Sequence, residues 1–311
     1  MKIFQKLKYL LVAVFATVTV ALFGSGAVYA DEVPEYRIQM SPARNDVGEL
    51  KPGESYSGTF RVQNTGKRAF SFTTGVAPYY VVDEYYNPDY DSSNQYTDIA
   101  NWIKLSIAEG NVEPNNEVEV AYTITVPADV PAGGQYAMLY AEINPKDDSA
   151  SEGSGIAVSR RVGMLLYSNV QGNTRKTGSV IENKVPTFLF NPPVQATSIV
   201  ENTGNTHATA EYVLQVYPLF GDEEVYTNEE NPAKLIVLPE TRRLNTINWP
   251  NAPHLGIFRV KQTVTIFGES STVEKTVFIC PIWFLFIVIA IIFCAIFWIV
   301  TRIRARKQDR R

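Results

Sequence analysis

Tyrosine and carboxylate side chains crowd one stretch of the chain, and these residue types could bind a sugar or a protein surface. Residues 78–96 read PYYVVDEYYNPDYDSSNQY. A tyrosine ring suits stacking on a sugar or anchoring an interface, and a carboxylate can accept hydrogen bonds from sugar hydroxyls. The stretch therefore predicts a ligand-binding loop, whose candidate residues are Tyr79, Tyr80, Tyr85, Tyr86, Asp89, Tyr90, Asp91 and Tyr96. The alternative is that alternate tyrosines cap a hydrophobic core and the remainder is a solvated loop.

Oxygen-bearing side chains recur at alternate positions from Asp89 to Gln95, a spacing that can converge on a calcium ion. An EF-hand loop counted from Asp89 would need Gly at its sixth position and Glu at its twelfth. The chain has Asn94 and Ala100 there, which excludes an EF-hand and leaves irregular calcium binding open. Our prediction is that the protein uses no metal and no cofactor.

Groups for acid–base or nucleophilic catalysis are scarce. The chain has two histidines, His207 and His254, and two cysteines, Cys280 and Cys294, which both belong to the C-terminal apolar region. It lacks HExxH and a phosphate-binding loop, and it has no GxSxG after residue 30. A carboxylate pair for glycoside hydrolysis has no fixed spacing in sequence, so a cell-wall glycan hydrolase stays the alternative with least support. We predict that the protein is not an enzyme and has no catalytic residues.

The elements that carry these residues are predicted to be strands. From Val118 to Val126 apolar and polar residues alternate, which is the period of a half-buried strand, and Pro127 ends the pattern. Tyr136–Ile143, YAMLYAEI, is apolar on both faces, as in a central strand. Turn residues such as Lys51-Pro52-Gly53 separate the runs. The pattern predicts an all-β ectodomain built from immunoglobulin-like antiparallel β-sandwiches.

An internal echo sets the number of domains at two. The pattern V-x-N-T-G occurs at 62–66 and again at 200–204, and a second strand-like run follows each copy. We therefore predict one sandwich over residues 33–170 and another over 179–278. Residues 171–178, QGNTRKTG, form the predicted linker because they are polar and include two glycines.

The N-terminus predicts export. Three lysines precede the apolar run Tyr9–Phe23, and small residues lead to Val28-Tyr29-Ala30. This is typical of a secretory signal peptide over residues 1–30, cut after Ala30. An uncleaved signal anchor is the alternative, although the apolar run is short for a membrane span.

The C-terminus predicts a transmembrane helix over residues 279–300 and a basic cytoplasmic tail over 301–311. From Ile282 to Val300 there are 19 residues without a charge, enough for a helix about 30 Å long. Basic residues beside a span stay cytoplasmic, which makes this a single-pass cell-membrane protein with an extracellular ectodomain. The predicted anchor residues are Trp283, Trp298, Arg302, Arg304, Arg306 and Lys307.

Charge and cysteine content limit the partners. Residues 31–281 contain 19 Lys and Arg against 31 Asp and Glu, a net charge of −12. This excess of acid disfavours nucleic acid and anionic lipid. The same residues have Cys280 as their sole cysteine, so a disulfide within the predicted ectodomain is excluded, and an exported, cysteine-free domain favours a bacterial surface. The lipid bilayer is the predicted partner of the anchor.

The order of several motifs in residues 41–170 carries a resemblance. These motifs are Ser41-Pro42, the turn Leu50–Glu54, the strand Thr59–Asn64, the strand Glu117–Val126, Pro131–Tyr136 leading into the central strand, and Ile156–Tyr167. In this order they resemble the peptidoglycan-binding domain of the WxL-interacting proteins. Those are bacterial surface proteins with a signal peptide, two immunoglobulin-like domains and a C-terminal span with a basic tail. The resemblance implies peptidoglycan as a ligand.

We therefore expect a non-enzymatic, membrane-anchored bacterial surface protein. Its outer sandwich is expected to bind cell-wall peptidoglycan or another surface protein. The alternative is a scaffold or assembly subunit that positions another membrane or secreted protein.

Overall fold

The structure, a computed structural model, describes residues 35–143 and 160–308. The predicted signal peptide, residues 1–30, lies outside the described residues, and so do the last three residues of the predicted tail. The described chain is predominantly β-structure followed by one long helix. The prediction of an all-β, immunoglobulin-like sandwich fold is confirmed at the level of fold class for the described residues before the helix.

Eleven strands and one 3₁₀ turn lie among residues 38–143 and 160–170. The strands are β1 (Ile38–Ser41), β2 (Arg44–Leu50), β3 (Ser55–Asn64), β4 (Phe70–Pro78), β5 (Tyr80–Val81), β6 (Pro88–Asp89), β7 (Ile103–Leu105), β8 (Glu109–Val112), β9 (Glu117–Thr125), β10 (Gly133–Ile143) and β11 (Arg161–Val170). The 3₁₀ turn is Asp98–Asn101. Two sheets, β1-β3-β9-β7 and β2-β11-β10-β4-β8, face each other and form the first sandwich, and β5 pairs with β6 alone.

Nine strands follow between residues 178 and 279. They are β12 (Gly178–Lys184), β13 (Phe188–Leu189), β14 (Val194–Asn202), β15 (Ala208–Pro218), β16 (Tyr226–Thr227), β17 (Ala233–Val237), β18 (Thr241–Trp249), β19 (Gly256–Ile266) and β20 (Glu269–Ile279). The sheets β12-β14-β18 and β13-β20-β19-β15-β16 form the second sandwich, with β17 also paired to β15.

Both sandwiches follow one strand plan. In each, the incoming chain forms a strand in one sheet and then crosses to the other, where it pairs parallel to the last strand: β2 with β11, and β13 with β20. All other pairings are antiparallel among the described strands. The sheets are thus mostly antiparallel, as the hydrophobic alternation predicts, with one parallel pair in each.

Each sandwich has its own hydrophobic core. In the first, Phe60, Phe70 and Phe72 are each at most 1% exposed, and in the second Tyr212 and Leu214 are fully buried. Burying a side chain of this size stabilises a fold by about 1.5–3 kcal/mol. A third apolar cluster contains residues from both sandwiches, so the two are packed against each other.

The repeated N-T-G turn has the same role in both sandwiches. Asn64 is buried, its amide donates to the carbonyl oxygens of Arg68 and Val112 at 2.8 and 3.0 Å, and its side-chain oxygen accepts from the N–H of Gly66. The incoming backbone is held by the same turn, because the N–H of Thr65 donates to the carbonyl of Arg37.

Asn202 repeats this arrangement. Its amide donates to the carbonyl oxygens of Thr206 and Val237 at 2.8 and 2.9 Å, and its oxygen accepts from the N–H of Gly204. The N–H of Thr203 donates to the carbonyl of Thr177 in the incoming linker. The repeat seen in the sequence is therefore a clamp on the segment that leads into each sandwich.

Helix α1 runs from Ile282 to Gln308 and begins three residues after β20 ends. Trp283 and Trp298 are exposed on it, whereas the side chains of the four predicted basic anchor residues lie outside the described ones. The side chains that the structure does describe are those of 282–296, 298 and 299, and over these described residues no helix is long and apolar enough to cross a membrane.

Candidate functional site

The predicted binding residues all lie in an insertion of the first sandwich. After β4 the chain runs through residues 79–108 before it returns as β8, whereas the equivalent connection of the second sandwich, from β15 to β17, covers 219–232. The insertion contains β5, β6, the 3₁₀ turn and β7. It folds towards the second sandwich, and most of its tyrosines pack there. We call this contact between the two sandwiches the seam.

The centre of the seam is the turn Leu238–Thr241, which reads LPET. The hydroxyl of Tyr80 donates a hydrogen bond to the carbonyl oxygen of Pro239 at 2.5 Å, and the hydroxyl of Tyr96 donates one to Oε1 of Glu240 at 3.0 Å. The hydroxyl of Tyr86 accepts from the N–H of Leu238 at 2.7 Å and lies 3.0 Å from Oγ1 of Thr241. Three tyrosines therefore fix one turn of the second sandwich by hydrogen bonds.

Ring contacts reinforce these hydrogen bonds. Tyr80 and Tyr96 are stacked with centroids 6.1 Å apart and an interplanar angle of 4°. The guanidinium carbon of Arg243 lies 3.9 Å from the centroid of the Tyr86 ring, within the range of a cation–π interaction. Burial raises the pKa of Tyr80 and Tyr86 and, together with the acceptor Glu240, raises that of Tyr96 to about 12. All three hydroxyls therefore keep their protons near neutral pH.

A second contact of the seam joins backbone to backbone. The N–H of Gly134 donates to the carbonyl oxygen of Asn205 at 2.7 Å, and the Asn205 amide donates to the carbonyl oxygen of Ala132 at 3.1 Å. Gly133 has a φ of 134°, and a Cβ on it would lie 2.5 Å from the Asn205 carbonyl oxygen. The close approach of these two backbone segments therefore requires glycine at position 133.

His207 lies at the edge of the seam with its side chain 10% exposed. Its Nδ1 is 3.4 Å from the hydroxyl of Tyr136, and its Nε2 is 3.5 Å from Oδ2 of Asp46 in the first sandwich. Burial lowers the pKa of His207, against the opposing attraction of Asp46. The imidazole thus touches both sandwiches, and its neutral form is favoured.

The structure brings together some predicted binding residues and separates others. Tyr79 and Tyr96 are buried, Tyr80 and Tyr86 are half-buried in the seam, and the ring of Tyr90 lies 6.2 Å from that of Tyr79. The remaining three lie outside the seam. Tyr85 is 68% exposed, Asp91 is exposed, and Asp89 lies in β6 and accepts from the N–H of Asp91.

The structure adds four seam residues that the sequence patterns do not indicate: Tyr136, Tyr167, His207 and Glu240. Tyr136 and Tyr167 lie on β10 and β11, and the sequence patterns predict Tyr136 only as part of a central strand. The one local signal is the LPET turn, which interrupts a strand-rich stretch far from the tyrosines. As for metal sites, the described residues contain no cluster of three or more His, Cys, Asp or Glu side chains that could hold an ion.

An acidic recess of about 340 Å³ opens beside the seam. Asp83 and Glu84 of the insertion and Glu201 and Glu240 of the second sandwich line it together. Arg242 offsets part of this charge through an ion pair with Glu201 at 2.8 Å. Hydrogen bonds from Asn87 lower the pKa of Asp83, which keeps that carboxylate charged.

Two further recesses lie at the end of the first sandwich that faces away from the second. A cleft of about 590 Å³ lies between β1 and β11 and is lined by Ile38, Gln39, Met40, Ser41, Ala43, Gln63, Val162 and Gly163. A neighbouring recess of about 360 Å³ is rich in side-chain amides and is lined by Gln63, Asn64, Thr65, Asn115, Asn116 and Glu117. Gln63 borders both. We call them the edge cleft and the amide recess.

No family model matches this chain, and no curated protein matches it. Solved structures similar to it include the Escherichia coli chaperone DraB, at 12% identity over 78% of this chain and 97% of that one with a TM-score of 0.37. The CupB2 chaperone of Pseudomonas aeruginosa is 14% identical over 76% and 98%, with a TM-score of 0.34. A PapD-like domain of human CEP192 is 16% identical over 48% and 95%, with a TM-score of 0.33. Likeness at this level carries no argument about the function of this chain.

Proposed function

We propose that this chain is a non-enzymatic, membrane-anchored bacterial surface protein that binds an extended segment of a partner protein in the edge cleft of its outer sandwich. One observation carries the proposal. On β11, residues Arg161–Met164 pair with β10 on one side, while β2 starts its pairing on the other side at Leu165. Among the described residues, no strand pairs with that edge of β11 over Arg161–Met164, where it borders the cleft.

An open strand edge offers unpaired N–H and C=O groups, which can hydrogen-bond to an added strand. The cleft beside it supplies apolar surface from Ile38, Met40 and Val162 for alternate side chains of that strand. The eight described residues that line the cleft include no carboxylate, histidine, cysteine or lysine. Such a lining suits binding and offers no group for acid–base catalysis.

The seam supports an arrangement in which the edge cleft faces away from the membrane. It joins the two sandwiches through side-chain and backbone hydrogen bonds, so the first sandwich is held at the far end of the second. β20 at the other end of the second sandwich leads into α1. With α1 in the membrane, the edge cleft would point away from the bilayer.

The membrane anchor and the cell-surface location are part of the proposal. They are supported by the uncharged run from Ile282 to Val300, the basic residues that follow it, and the signal-peptide pattern of residues 1–30. The described side chains of α1 are mostly apolar and exposed, from Ile282 to Ile299. Apolar side chains exposed along a helix favour a lipid environment.

Single-cysteine labelling tests the anchor and its orientation. With Cys280 and Cys294 changed to serine, one cysteine is introduced by Thr123→Cys or Lys307→Cys, in the outer sandwich and the tail. A membrane-impermeant maleimide should label the Thr123→Cys variant in intact cells. It should label the Lys307→Cys variant only after the cells are permeabilised. Equal labelling of both in intact cells would contradict the proposed topology.

Filling the edge cleft tests the partner site. Gln39→Trp and Gln63→Trp in the full chain should lower the yield of the dominant cross-linked partner protein in intact cells at least tenfold. Thr123→Trp, an exposed change on the outer face of β9, is the control and should leave the yield unchanged. If both cleft variants cross-link like the wild type, the edge cleft is not the partner site.

Peptidoglycan is the second candidate ligand, favoured by the amide recess and by the resemblance of residues 41–170 to WxL-interacting proteins. Amide side chains such as Asn115 and Asn116 can hydrogen-bond to sugar hydroxyls and acetamido groups. The detergent-solubilised full chain should co-sediment with purified sacculi, and Asn116→Ala should weaken this binding more than Asn111→Ala on β8 does. Sedimentation no greater than that of an unrelated acidic β-sandwich protein would remove peptidoglycan as a ligand and leave the protein partner.

A further inference from the structure

Exposed large hydrophobic side chains are unevenly distributed over the two sandwiches. Ten such residues are exposed among the described residues outside α1. Val82 and Tyr85 lie on the insertion of the first sandwich, and Ile181 lies on β12. The other seven share one end of the second sandwich: Phe188, Phe190, Phe220, Val225, Leu255, Ile257 and Phe278. We call these seven residues the basal patch.

Strand register brings the members of the basal patch together. Phe188 on β13 and Ile257 on β19 both pair with Phe278 on β20, so the three residues lie in one row across the sheet. Phe190 extends this row, because its ring meets that of Phe188 edge to face with centroids 5.0 Å apart. Phe220, in the loop after β15, is 89% exposed at the same end. Contiguous exposed aromatic side chains of this kind mark a contact surface.

The chain leaves the second sandwich through this same end. β20 ends at Ile279 and α1 begins at Ile282, so at most about 10 Å of chain separates them. Pro281 directly precedes the helix, and its carbonyl accepts from the N–H of Phe284 at 3.0 Å. The basal patch therefore lies at the end of the sandwich from which the helix emerges, with Phe278 next to the last residue of β20.

We propose that the basal patch rests in the headgroup region of the bilayer and seats the second sandwich on the membrane. This inference rests on the proposed membrane anchor. A short connection leaves little room between sandwich and bilayer, and aromatic rings are favoured at the boundary between acyl chains and headgroups. Asp222, Glu223 and Glu224 follow Phe220 after a single glycine, so the contact suits zwitterionic lipid better than anionic lipid.

Collisional quenching of tryptophan by brominated lipid tests this contact. The full chain, with Trp283→Phe and Trp298→Phe, is reconstituted into phosphatidylcholine vesicles whose acyl chains are brominated near the headgroup or near the bilayer centre. Phe190→Trp or Phe220→Trp then adds a reporter to the basal patch. Both reporters should be quenched at least twofold by the shallow bromines and less by the deep ones.

Tyr85→Trp is the matched control, because it places an exposed tryptophan on the insertion of the first sandwich. It should show no quenching above that of the two remaining native tryptophans, Trp102 and Trp249. The chain with its native Trp283 and Trp298 reports separately on the anchor, since both should be quenched once α1 is in the bilayer. Unfolding transitions of each variant confirm that the sandwiches stay folded.

The outcomes separate the inference from the proposed function. If native Trp283 and Trp298 are not quenched, the proposed anchor fails and the inference fails with it. If they are quenched while Phe190→Trp and Phe220→Trp behave like Tyr85→Trp, the anchor stands and the bilayer contact is overturned. Concentration-dependent cross-linking between copies through the basal patch, without quenching of its tryptophan reporters by brominated lipid, would overturn the bilayer contact. The basal patch would then be a self-association surface.

Discussion

The two sandwiches share a strand plan and a buried asparagine clamp, yet they use the same end in different ways. In the second sandwich the end that carries Asn202 is covered by the first sandwich, through Asn205 and the seam. In the first sandwich the corresponding end carries Asn64 and borders the edge cleft and the amide recess. One end is therefore used for attachment between domains, whereas its counterpart is not covered by another sandwich within the part of the chain that the structure describes.

The difference shows that the shared residues specify the sandwich and that the connections specify what it contacts. Asn64 and Asn202 make equivalent hydrogen bonds regardless of what lies beyond them. The insertion between β4 and β8 has no counterpart of its length in the second sandwich, and it supplies most of the side chains that hold the turn at Glu240. The variants below alter either the shared clamp or the contacts between the sandwiches.

Replacing the asparagine of either clamp should cause the largest loss of stability. Asn64→Ala and Asn202→Ala each leave two buried carbonyl groups and one N–H without their partner, at a cost of about 2–4 kcal/mol in the free energy of unfolding. Denaturant unfolding of the solubilised full chain measures this. The two losses should be similar, and a loss below about 0.5 kcal/mol for one variant alone would show that the clamps are not equivalent.

The second-largest loss of stability should come from Gly133→Ala in the backbone contact of the seam. The added methyl group would collide with the Asn205 carbonyl oxygen, and the φ of 134° is unfavourable for alanine. We expect a loss of about 2 kcal/mol and separate unfolding of the two sandwiches by calorimetry. Gly53→Ala, at φ 81° with no atom near its Cβ, is the control and should lose about 1 kcal/mol without separating the transitions.

Tyr86→Phe tests the hydrogen bonds of the seam. It removes the hydroxyl that accepts from the N–H of Leu238, and this should lower the free energy of unfolding by about 1–2 kcal/mol. Tyr85→Phe, at the neighbouring exposed position, should change it by less than about 0.5 kcal/mol. Equal effects of the two changes would mean that the seam hydroxyl contributes nothing to stability.

The smallest effect should be the pH dependence of the seam. Burial holds the pKa of His207 below its ordinary value of 6.5, among the charged side chains of Asp46, Arg44 and Lys176. The separated sandwiches would bind the proton more readily than the packed ones. The contribution of neutral His207 to the free energy of unfolding is therefore complete above about pH 6.5, and it is lost as the pH falls below that value.

Denaturant unfolding at pH 7.5 and pH 5.5 measures this dependence, and His207→Gln should reduce it. His254→Gln on the second sandwich is the control and should keep the wild-type dependence. The assignment to His207 would be contradicted if His207→Gln left the dependence between these two pH values unaltered.

The strands follow from local sequence because alternation depends on neighbouring residues. The pattern of Val118–Val126 is observed as β9, Glu117–Thr125, with burial alternating along its second half. The apolar run Tyr136–Ile143 is observed within β10, most of whose residues are buried. The V-x-N-T-G repeat indicates two similar units, although its role as a clamp depends on carbonyl groups that are distant in sequence, such as that of Val112.

The seam could not be predicted in the same way. Tyr86 and Thr241 are 155 residues apart, and Tyr80 and Pro239 are 159 apart, so no local pattern relates them. A tyrosine that binds a sugar and a tyrosine that packs on another domain have the same local sequence. What distinguishes them is the partner surface, here the turn that reads LPET. The ligand-binding role predicted for the tyrosine-rich stretch stays a prediction, with Tyr85 and Asp91 still exposed.

The pairing of β19 with β20 has a mechanical consequence. β20 connects the sandwiches to α1, and its eleven backbone pairs with β19 lie side by side along the strand. A pull between the first sandwich and α1 would load these pairs together in shear instead of opening them one after another. We expect the second sandwich to be a stiff tether, and force spectroscopy should show that it unfolds at higher load when pulled through α1 than when pulled through the β19–β20 turn at Gly268.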